Sequence, residues 1–288
     1  GQNHIRIYSE ISNLIGISEP NEKIGKKIAY KYGIKWFSDH KSLLEHVDAV
    51  SVAVPTSLHK TIAKDVIINK KHLLVEKPLS DSAENASDIL NLAEKYGVVL
   101  SVGHVERYNP TISSVQNFLK SGDSGQILTI TARRFSNYPH RIRDVGVLFD
   151  LTIHDVDLLN SFIRKRPISV FAAGGNHINE QFEDYVNLII NYEGGVVGIC
   201  QTNWLTPMKI RDITITTDKK FISLDLLNQE AKIKNSDYRK VDDSNLFETS
   251  LEFKTQTIPI TKEEPLKAEL SDFLSSIQNN HLPKVSGE

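Results

Sequence analysis

The chain has 288 residues, of which 40% are hydrophobic and 24% are charged, and its formal net charge is -2. This composition describes a globular protein that is long enough for two domains. Because the charges form no basic field, we expect neither a nucleic-acid partner nor a membrane partner. The single cysteine, Cys200, excludes a disulfide within the chain, and its apolar neighbours predict a core position.

The sequence has no apolar run of about 18 residues, which a membrane span would need, and no signal-peptide pattern. We therefore expect a cytoplasmic protein. Its ten histidines are scattered along the chain.

The first hundred residues alternate short apolar runs with amphipathic stretches, a pattern typical of strand-helix units around a parallel sheet. The predicted strands are 14–18, 48–54, 72–76 and 98–102, and the predicted helices are 22–32, 59–69 and 82–96. This α/β pattern predicts a Rossmann-type dinucleotide-binding domain over residues 1–103.

Glu76-Lys77-Pro78 directly follows the apolar run Leu73-Leu74-Val75. Ligands bind at the carboxyl ends of the strands in open α/β sheets. A lysine at this edge can be desolvated beside a cofactor, and the proline restricts the backbone that presents it. A solvated strand end with a turn proline is the alternative interpretation.

Residues 104–288 have a different pattern, with longer β-like runs. The predicted strands are 126–134, 168–173, 185–192, 195–203, 210–217 and 221–226, and the predicted helices are 110–121 and 148–163. We predict an α+β domain with a large, mostly antiparallel open sheet for substrate binding and oligomerisation. Apolar residues alternate on both faces of 186–190 and 196–199, so the open face predicts a homodimer or homotetramer.

Three motifs occur in order: Glu76-Lys77-Pro78, Gly103-His104-Val105-Glu106-Arg107-Tyr108-Asn109-Pro110, and Asp150-Leu-Thr-Ile-His154-Asp155. With them the chain resembles, over almost its whole length, the Gfo/Idh/MocA family of NAD(P)-dependent sugar oxidoreductases. The second motif and the segment 141–150 are similar to the branch that oxidises the 3-hydroxyl of UDP-N-acetylglucosamine or its uronic acid. The alternatives are a dehydrogenase of a free polyol such as myo-inositol and a non-catalytic dinucleotide-binding sensor.

The resemblance implies three catalytic residues, Lys77, Asp150 and His154. Oxidation of a secondary alcohol needs a base within hydrogen-bond reach of the hydroxyl. His154 is implied as the acid/base, with Asp150 four residues earlier on the same helix face, and Lys77 as a donor to the same oxygen. The sequence leaves open whether Lys77 or His154 takes the proton, and a surface helix pair is the alternative for Asp150 and His154.

A metal site is the remaining possibility for this helix. His154, Asp155 and Asp157 have no third histidine or cysteine nearby at ligand spacing, so we predict no metal site.

The resemblance also implies the cofactor contacts. Gly1, followed by Gln2, is similar to the last glycine of the turn that directs a helix N-terminus at the pyrophosphate. Glu19 is expected to bind the adenosine ribose and to repel a 2′-phosphate, which favours NAD over NADP, although a solvated turn acid fits equally well. The other expected cofactor contacts are Pro55, Thr56, His59, Glu76, Lys77 and His104.

A small-molecule substrate, a nucleotide sugar in the closer resemblance, is expected to contact both domains. The implied contacts are Lys77, Glu106, Arg107, Asn109, Arg141, Asp150, Thr152 and His154. Arg134 and Arg143 are further candidates, because a guanidinium fits a diphosphate or carboxylate, although any one of them can be a solvated surface charge. Trp204 either stacks on a sugar or packs in the core.

The sequence departs from the family pattern at three places. The first strand and its glycines are absent before Gly1, and the only methionine is Met208. The final helix is absent after Glu288, and the connection at Asn13 is short. We therefore expect the chain to lack residues at these places.

Overall fold

The computed structural model describes residues 1–139, 142, 145–178, 180–237 and 252–287. The chain forms two compact units, unit 1 with residues 1–108 and 264–288, and unit 2 with residues 109–263. The predicted domains divide the chain once, after residue 103. In the structure unit 1 extends to residue 108, and the residues from 264 onward also belong to it.

Unit 1 is built from parallel strands and helices. Its elements in chain order are α1 (Gln2–Ile11), β1 (Gly16–Ser18), α2 (Glu22–Tyr32), β2 (Lys35–Phe37), α3 (His40–Leu44), β3 (Ala49–Val52), α4 (Thr56–Ile68), β4 (His72–Glu76), α5 (Ala83–Tyr96), β5 (Leu100–Gly103) and a 3₁₀ turn, Val105–Tyr108. Strands β3, β4 and β5 form one parallel sheet in that order, and β1 pairs with β2 in a second.

The predicted helix 22–32 and the predicted strand 72–76 are confirmed. Helix α2 begins after Asn21, whose side chain accepts a hydrogen bond from the Ile24 N–H, and ends at Gly33 with φ of 65°. These are favourable cap residues, since asparagine satisfies a free N–H and glycine adopts positive φ without strain. In β4 the residues Leu73 to Val75 are fully buried, as expected for a strand covered on both faces.

Sequence reasoning missed three elements of unit 1. Helix α1 begins without a capping side chain, β2 has 3 residues and α3 has 5. Such short or uncapped segments carry little periodic signal.

Unit 2 contains one large sheet. Its elements in chain order are α6 (Pro110–Lys120), β6 (Ile127–Asn137), a π-helical turn (Leu148–Thr152), α7 (Ile153–Ile163), β7 (Pro167–Gly175), β8 (Tyr185–Tyr192), β9 (Val197–Asn203), β10 (Leu205–Thr217), β11 (Phe221–Asp225), β12 (Glu230–Asp237) and β13 (Glu252–Thr257). The strand order is β13-β12-β11-β10-β6-β9-β8-β7, and β6 and β9 are the only parallel neighbours in this described sheet. The predicted large, mostly antiparallel sheet is confirmed.

The inner face of the sheet packs against α6 and α7. In β8, Val186, Leu188 and Ile190 are buried, whereas Tyr185 and Ile189 on the opposite face are 39% and 41% exposed. Cys200 is fully buried in the core, as predicted, and burial raises the pKa of its thiol. Strands β12 and β13 were not predicted, because their sequences are rich in charged residues, which are depleted in strands.

The last helix, α8 (Pro265–Asn279), belongs to unit 1. Its Leu270 and Phe273 pack with Ile7 and Tyr8 of α1 and with Leu74 of β4. This apolar cluster explains why the C-terminal segment joins unit 1. Among the described residues, no helix combines the length and apolar character that a membrane span requires.

Candidate functional site

The carboxyl end of β4 carries Glu76 and Lys77. Glu76 Oε1 lies 3.0 Å from His4 Nε2, and His4 Nδ1 lies 2.7 Å from Ser51 Oγ. The other Glu76 oxygen accepts a hydrogen bond of 3.2 Å from the Lys77 backbone N–H. Burial alone would raise the pKa of Glu76, but the hydrogen bond from His4 and the charge of Lys77 outweigh it, so this pKa is lowered. Ionised Glu76 therefore fixes the backbone that presents the half-buried Lys77.

Strand β5 approaches this edge closely at Gly103. A Cβ atom on Gly103 would lie 3.0 Å from Glu76 Oε2 and 3.1 Å from Glu76 Cα. Glycine at the start of the 103–110 motif therefore lets the ends of β4 and β5 lie side by side. His104, which follows, is half-buried at the same edge.

His59, a predicted cofactor contact, lies against two backbone carbonyls. Its side chain is 1% exposed, with Nδ1 2.8 Å from the Pro78 carbonyl oxygen and Nε2 3.0 Å from the Val54 carbonyl oxygen. Both ring nitrogens thus face backbone carbonyl oxygens, and a ring N–H can donate to either of them. His59 links the loop after β3 to the loop after β4, and so supports the segment that contains Lys77.

The other predicted cofactor residues of unit 1 lie at helix starts and strand ends. Gly1 is the N-cap of α1 and Gln2 its first residue, and no side chain caps this end. Pro55 is the N-cap of α4, which begins at Thr56. Glu19 follows β1, and its Oε1 accepts a 2.9 Å hydrogen bond from the backbone N–H two residues later, so it stabilises its own turn.

The segment after β5 contains three predicted substrate contacts, and the structure corrects one of them. Asn109 is 2% exposed; its Oδ1 accepts a hydrogen bond from the Thr111 N–H at 3.1 Å and its Nδ2 donates to the Leu226 carbonyl at 3.0 Å. It is a buried N-cap of α6, not a substrate contact. Glu106 is 5% exposed, and its substrate contact stays a prediction. Arg107 is half-buried, and its carbonyl accepts a hydrogen bond from Lys284.

The predicted helix 148–163 consists of a π-helical turn followed by the α-helix α7. Asp150 lies in the π-helical turn and His154 in the first turn of α7. In an α-helix and in a π-helix, residues four apart lie on nearly the same face. The half-buried side chains of Asp150 and His154 therefore share a face. Thr152 is fully buried and its hydroxyl donates to the Val147 carbonyl at 3.3 Å. Thr152 therefore stabilises the turn, which corrects its predicted role as a substrate contact.

A buried ion pair supports this helix. Arg134 Nη2 lies 2.8 Å from Asp155 Oδ1, and both side chains are 2% exposed. Because Arg134 is engaged in this pair, we no longer count it as a substrate contact. The pair also engages Asp155, which is one of the three residues considered above as metal ligands. Within the described ranges, no three His, Cys, Asp or Glu side chains are placed to hold a metal ion.

Asp150 also borders a pocket of about 380 Å³ within unit 2, which we call the β10 pocket. Its polar lining is Arg134, Ser136, Asn137, Asp150, Lys209 and Arg211. Lys209 and Arg211 were not predicted as site residues. The spacing of two between Arg211 and the inward-facing Ile213 is the sequence signal that could have identified Arg211. Lys209 lies in an irregular stretch of β10 between Leu205 and Ile210, where this spacing gives no signal.

Three earlier candidates remain. Trp204 is 2% exposed and packs edge-on against Tyr138, with ring centroids 5.7 Å apart, so it is a core residue. Arg141 and Arg143 lie outside the described residues.

Of the predicted site residues of unit 1, the structure brings Glu76, Lys77 and His104 together at the ends of β4 and β5.

Comparison with known proteins matches two family models. Residues 1–104 match the oxidoreductase family with an NAD-binding Rossmann fold, and residues 112–223 match the GFO/IDH/MocA C-terminal domain.

Individual relatives agree with these models. UDP-N-acetylglucosamine 3-dehydrogenase from Acidithiobacillus ferrooxidans is 27% identical over 96% of this chain and 85% of its own length. A solved structure of that enzyme has a TM-score of 0.88 at 26% identity and covers 99% of this chain and 88% of that one. The NAD(+)-dependent scyllo-inositol 2-dehydrogenase of Bacillus subtilis is 25% identical over 96% of this chain and 81% of its own.

The two matched domains follow each other in the order that the sequence predicted, and they cover most of the chain. The predicted fold and family resemblance are confirmed. The chain belongs to the Gfo/Idh/MocA family, and it is an oxidoreductase that acts on a CH–OH group through an NAD-binding Rossmann domain.

Proposed function

We propose that the protein transfers hydride to NAD from the 3-hydroxyl-bearing carbon of a UDP-N-acetylhexosamine or its uronic acid. The observation that carries this proposal is the similarity to UDP-N-acetylglucosamine 3-dehydrogenase along 96% of the chain. A free polyol such as myo-inositol is the second candidate substrate, favoured by the similarity to scyllo-inositol 2-dehydrogenase. A non-catalytic sensor is not retained, because the family is one of oxidoreductases.

Lys77, Asp150 and His154 carry the chemistry in this proposal. NAD, when bound, supplies the hydride acceptor. The substrate hydroxyl must lose its proton as hydride leaves the carbon, so His154 or Lys77 accepts that proton and the other donates a hydrogen bond to the same oxygen. Asp150 orients His154 or the sugar. Arg107 and Arg141 are proposed to contact the substrate.

The cofactor contacts are proposed at the helix starts and strand ends of unit 1. Helix α1 begins after Gly1, at Gln2, with no capping side chain, and the N-terminus of a helix suits a pyrophosphate. Pro55 and Thr56 begin α4, and Glu76 and His104 end β4 and begin the segment after β5. These backbone donors and polar groups fit a dinucleotide.

NAD in preference to NADP is proposed on the basis of Glu19. Only Oε1 of this carboxylate has a protein partner among the described residues. The other oxygen can accept hydrogen bonds from a ribose diol, and the negative charge repels a 2′-phosphate.

We also propose that the protein is a homodimer or homotetramer through the open face of the unit 2 sheet. Tyr185, Ile189 and Phe171 are 39%, 41% and 65% exposed, and β7 and β8 pair so that Phe171 lies opposite Ile189. A contiguous apolar patch of this kind is typical of an interface.

The substrate proposal is tested with a panel of nucleotide sugars and polyols, assayed by NADH absorbance. UDP-N-acetylglucosamine or its uronic acid should give the highest kcat/KM. A higher kcat/KM for myo-inositol or another free polyol would select the second candidate instead.

A further inference from the structure

The β10 pocket lies on the inner face of the unit 2 sheet. In β10, Ile213 and Ile215 are fully buried against the helices. Side chains two residues apart on a strand point to the same face, so Arg211 continues this row. Lys209 lies in the irregular stretch of β10 between Leu205 and Ile210, and it lines the same pocket as Arg211 and Asp150. The pocket volume of about 380 Å³ falls within the range of roughly 300 to 1,000 Å³ that is usual for small-molecule sites.

The lining of the pocket carries more positive than negative charge. It contains three cations, Arg134, Lys209 and Arg211, and one carboxylate, Asp150. Asp155 neutralises Arg134 through their buried ion pair. Lys209 is exposed, and no described residue forms an ion pair with it. The two positively charged lining residues that β10 contributes are Lys209 and Arg211.

This combination of charges suits a sugar joined to a phosphate group. A carboxylate accepts hydrogen bonds from sugar hydroxyls, whereas guanidinium and ammonium groups bind phosphate oxygens. A free polyol offers hydroxyls but no anion for the guanidinium of Arg211 or the ammonium of Lys209. A glycosyl diphosphate presents hydroxyls and phosphates next to each other.

We propose that the β10 pocket binds the diphosphate group of a nucleotide sugar, with Arg211 and Lys209 contacting phosphate oxygens and Asp150 accepting a hydrogen bond from the adjoining sugar. The proposal rests on the proposed function and deepens it by assigning the residues that distinguish a nucleotide sugar from a free polyol. Neither cation acts on the reacting hydroxyl, so both should affect binding more than turnover.

The test measures binding of UDP and of uridine by calorimetry, in the full protein and in its Arg211→Gln and Lys209→Gln variants. Each variant should weaken UDP binding on the order of tenfold or more, the cost of losing a charge-assisted hydrogen bond. Uridine, which has no phosphate, should bind equally to all forms. Arg211→Lys should recover part of the UDP affinity, because it restores the charge without the bidentate geometry.

Lys219→Gln is the matched control, because Lys219 is an exposed lysine just after the other end of β10. It should bind UDP as the unmodified protein does. Equal UDP affinity in both pocket variants and the control, or no UDP binding by the unmodified protein, would overturn the proposal.

Turnover separates this proposal from the proposed function. If UDP binds through Arg211 and Lys209 but UDP-N-acetylhexosamines are not oxidised, the proposed function fails and the diphosphate site stands. If they are oxidised with an unchanged KM in both variants, the proposed function stands and the diphosphate site fails.

Discussion

At the scale of single residues, hydrogen bonds within unit 1 fix the carboxylate of Glu76, the residue before Lys77. Glu76 pairs with His4 on one oxygen and accepts the Lys77 N–H on the other. His59 supports the same segment through the Pro78 carbonyl. Removing the Lys77 ammonium should therefore leave the backbone of its loop in place. A change in turnover on substitution of Lys77 then reports on the role of the ammonium in the reaction.

We predict that Lys77→Ala and His154→Ala each lower kcat on the order of a hundredfold to ten-thousandfold, as expected for loss of a positioned acid/base. NAD affinity, measured by calorimetry, should change little, because both residues act on the hydroxyl. Near-normal turnover of the true substrate by both variants would remove the catalytic assignment.

Glu19 accepts a hydrogen bond within its own turn, and it is also proposed to repel the 2′-phosphate of NADP. Glu19→Ala should narrow the ratio of kcat/KM for NAD to that for NADP, since it removes the charge that repels the 2′-phosphate. Glu22→Ala, which removes an exposed carboxylate from the first turn of α2, serves as the control and should leave the ratio unchanged. The NAD assignment is wrong if the unmodified protein prefers NADP.

Asn109 shows how the structure changes the interpretation of a motif residue. Asn109→Ala should lower the free energy of unfolding by about 1 to 3 kcal/mol, because it removes an N-cap and leaves a buried carbonyl without its donor. Urea unfolding measures this effect, and KM for the substrate should stay the same. A raised KM with unchanged stability would restore the predicted substrate contact.

At the scale of elements, α8 buries a carboxyl group that has no hydrogen-bond partner among the described residues. Glu269 is fully buried, and burial, reinforced by the charges of Glu76 and Asp272, raises its pKa from 4.5 to about 9. Below pH 4.5 this group is protonated in both the folded and the unfolded chain. Between pH 4.5 and about 9 only the unfolded chain loses the proton, so the folded state loses stability as the pH rises.

We therefore predict that Glu269→Gln flattens the pH dependence of stability. The difference in unfolding free energy between variant and unmodified protein should grow with pH, by at most about 1.4 kcal/mol per pH unit. Urea unfolding from pH 5 to pH 9 measures this difference. Parallel curves for the two proteins would show that Glu269 is not held protonated.

Elements with a strong local pattern could be predicted from the sequence. Helix α2 has both caps in its sequence, and β4 is a continuous apolar run between polar residues. The roles of Asn109, Thr152 and His59 could not be predicted, because their partners Leu226, Val147 and Pro78 are identified only by the folded chain. The return of α8 to unit 1 likewise depends on contacts with residues far away in sequence.

At the scale of the whole molecule, the open sheet face predicts self-association. Light scattering at micromolar concentration should show a dimer or tetramer. Ile189→Lys, which places a charge in the exposed apolar patch, should shift the protein toward the monomer, whereas Tyr30→Lys, at a position 91% exposed in unit 1, should not. A monomeric unmodified protein would contradict the proposed interface.

The central claim is that hydride passes from C3 of a UDP-N-acetylhexosamine to NAD. The most direct measurement uses UDP-N-acetylglucosamine deuterated at C3, with the reduced cofactor analysed by mass spectrometry. We expect the deuterium to appear in the reduced nicotinamide and the turnover to slow if hydride transfer limits the rate. Reduced cofactor without deuterium would show that the hydride leaves a different carbon, and would contradict the claim.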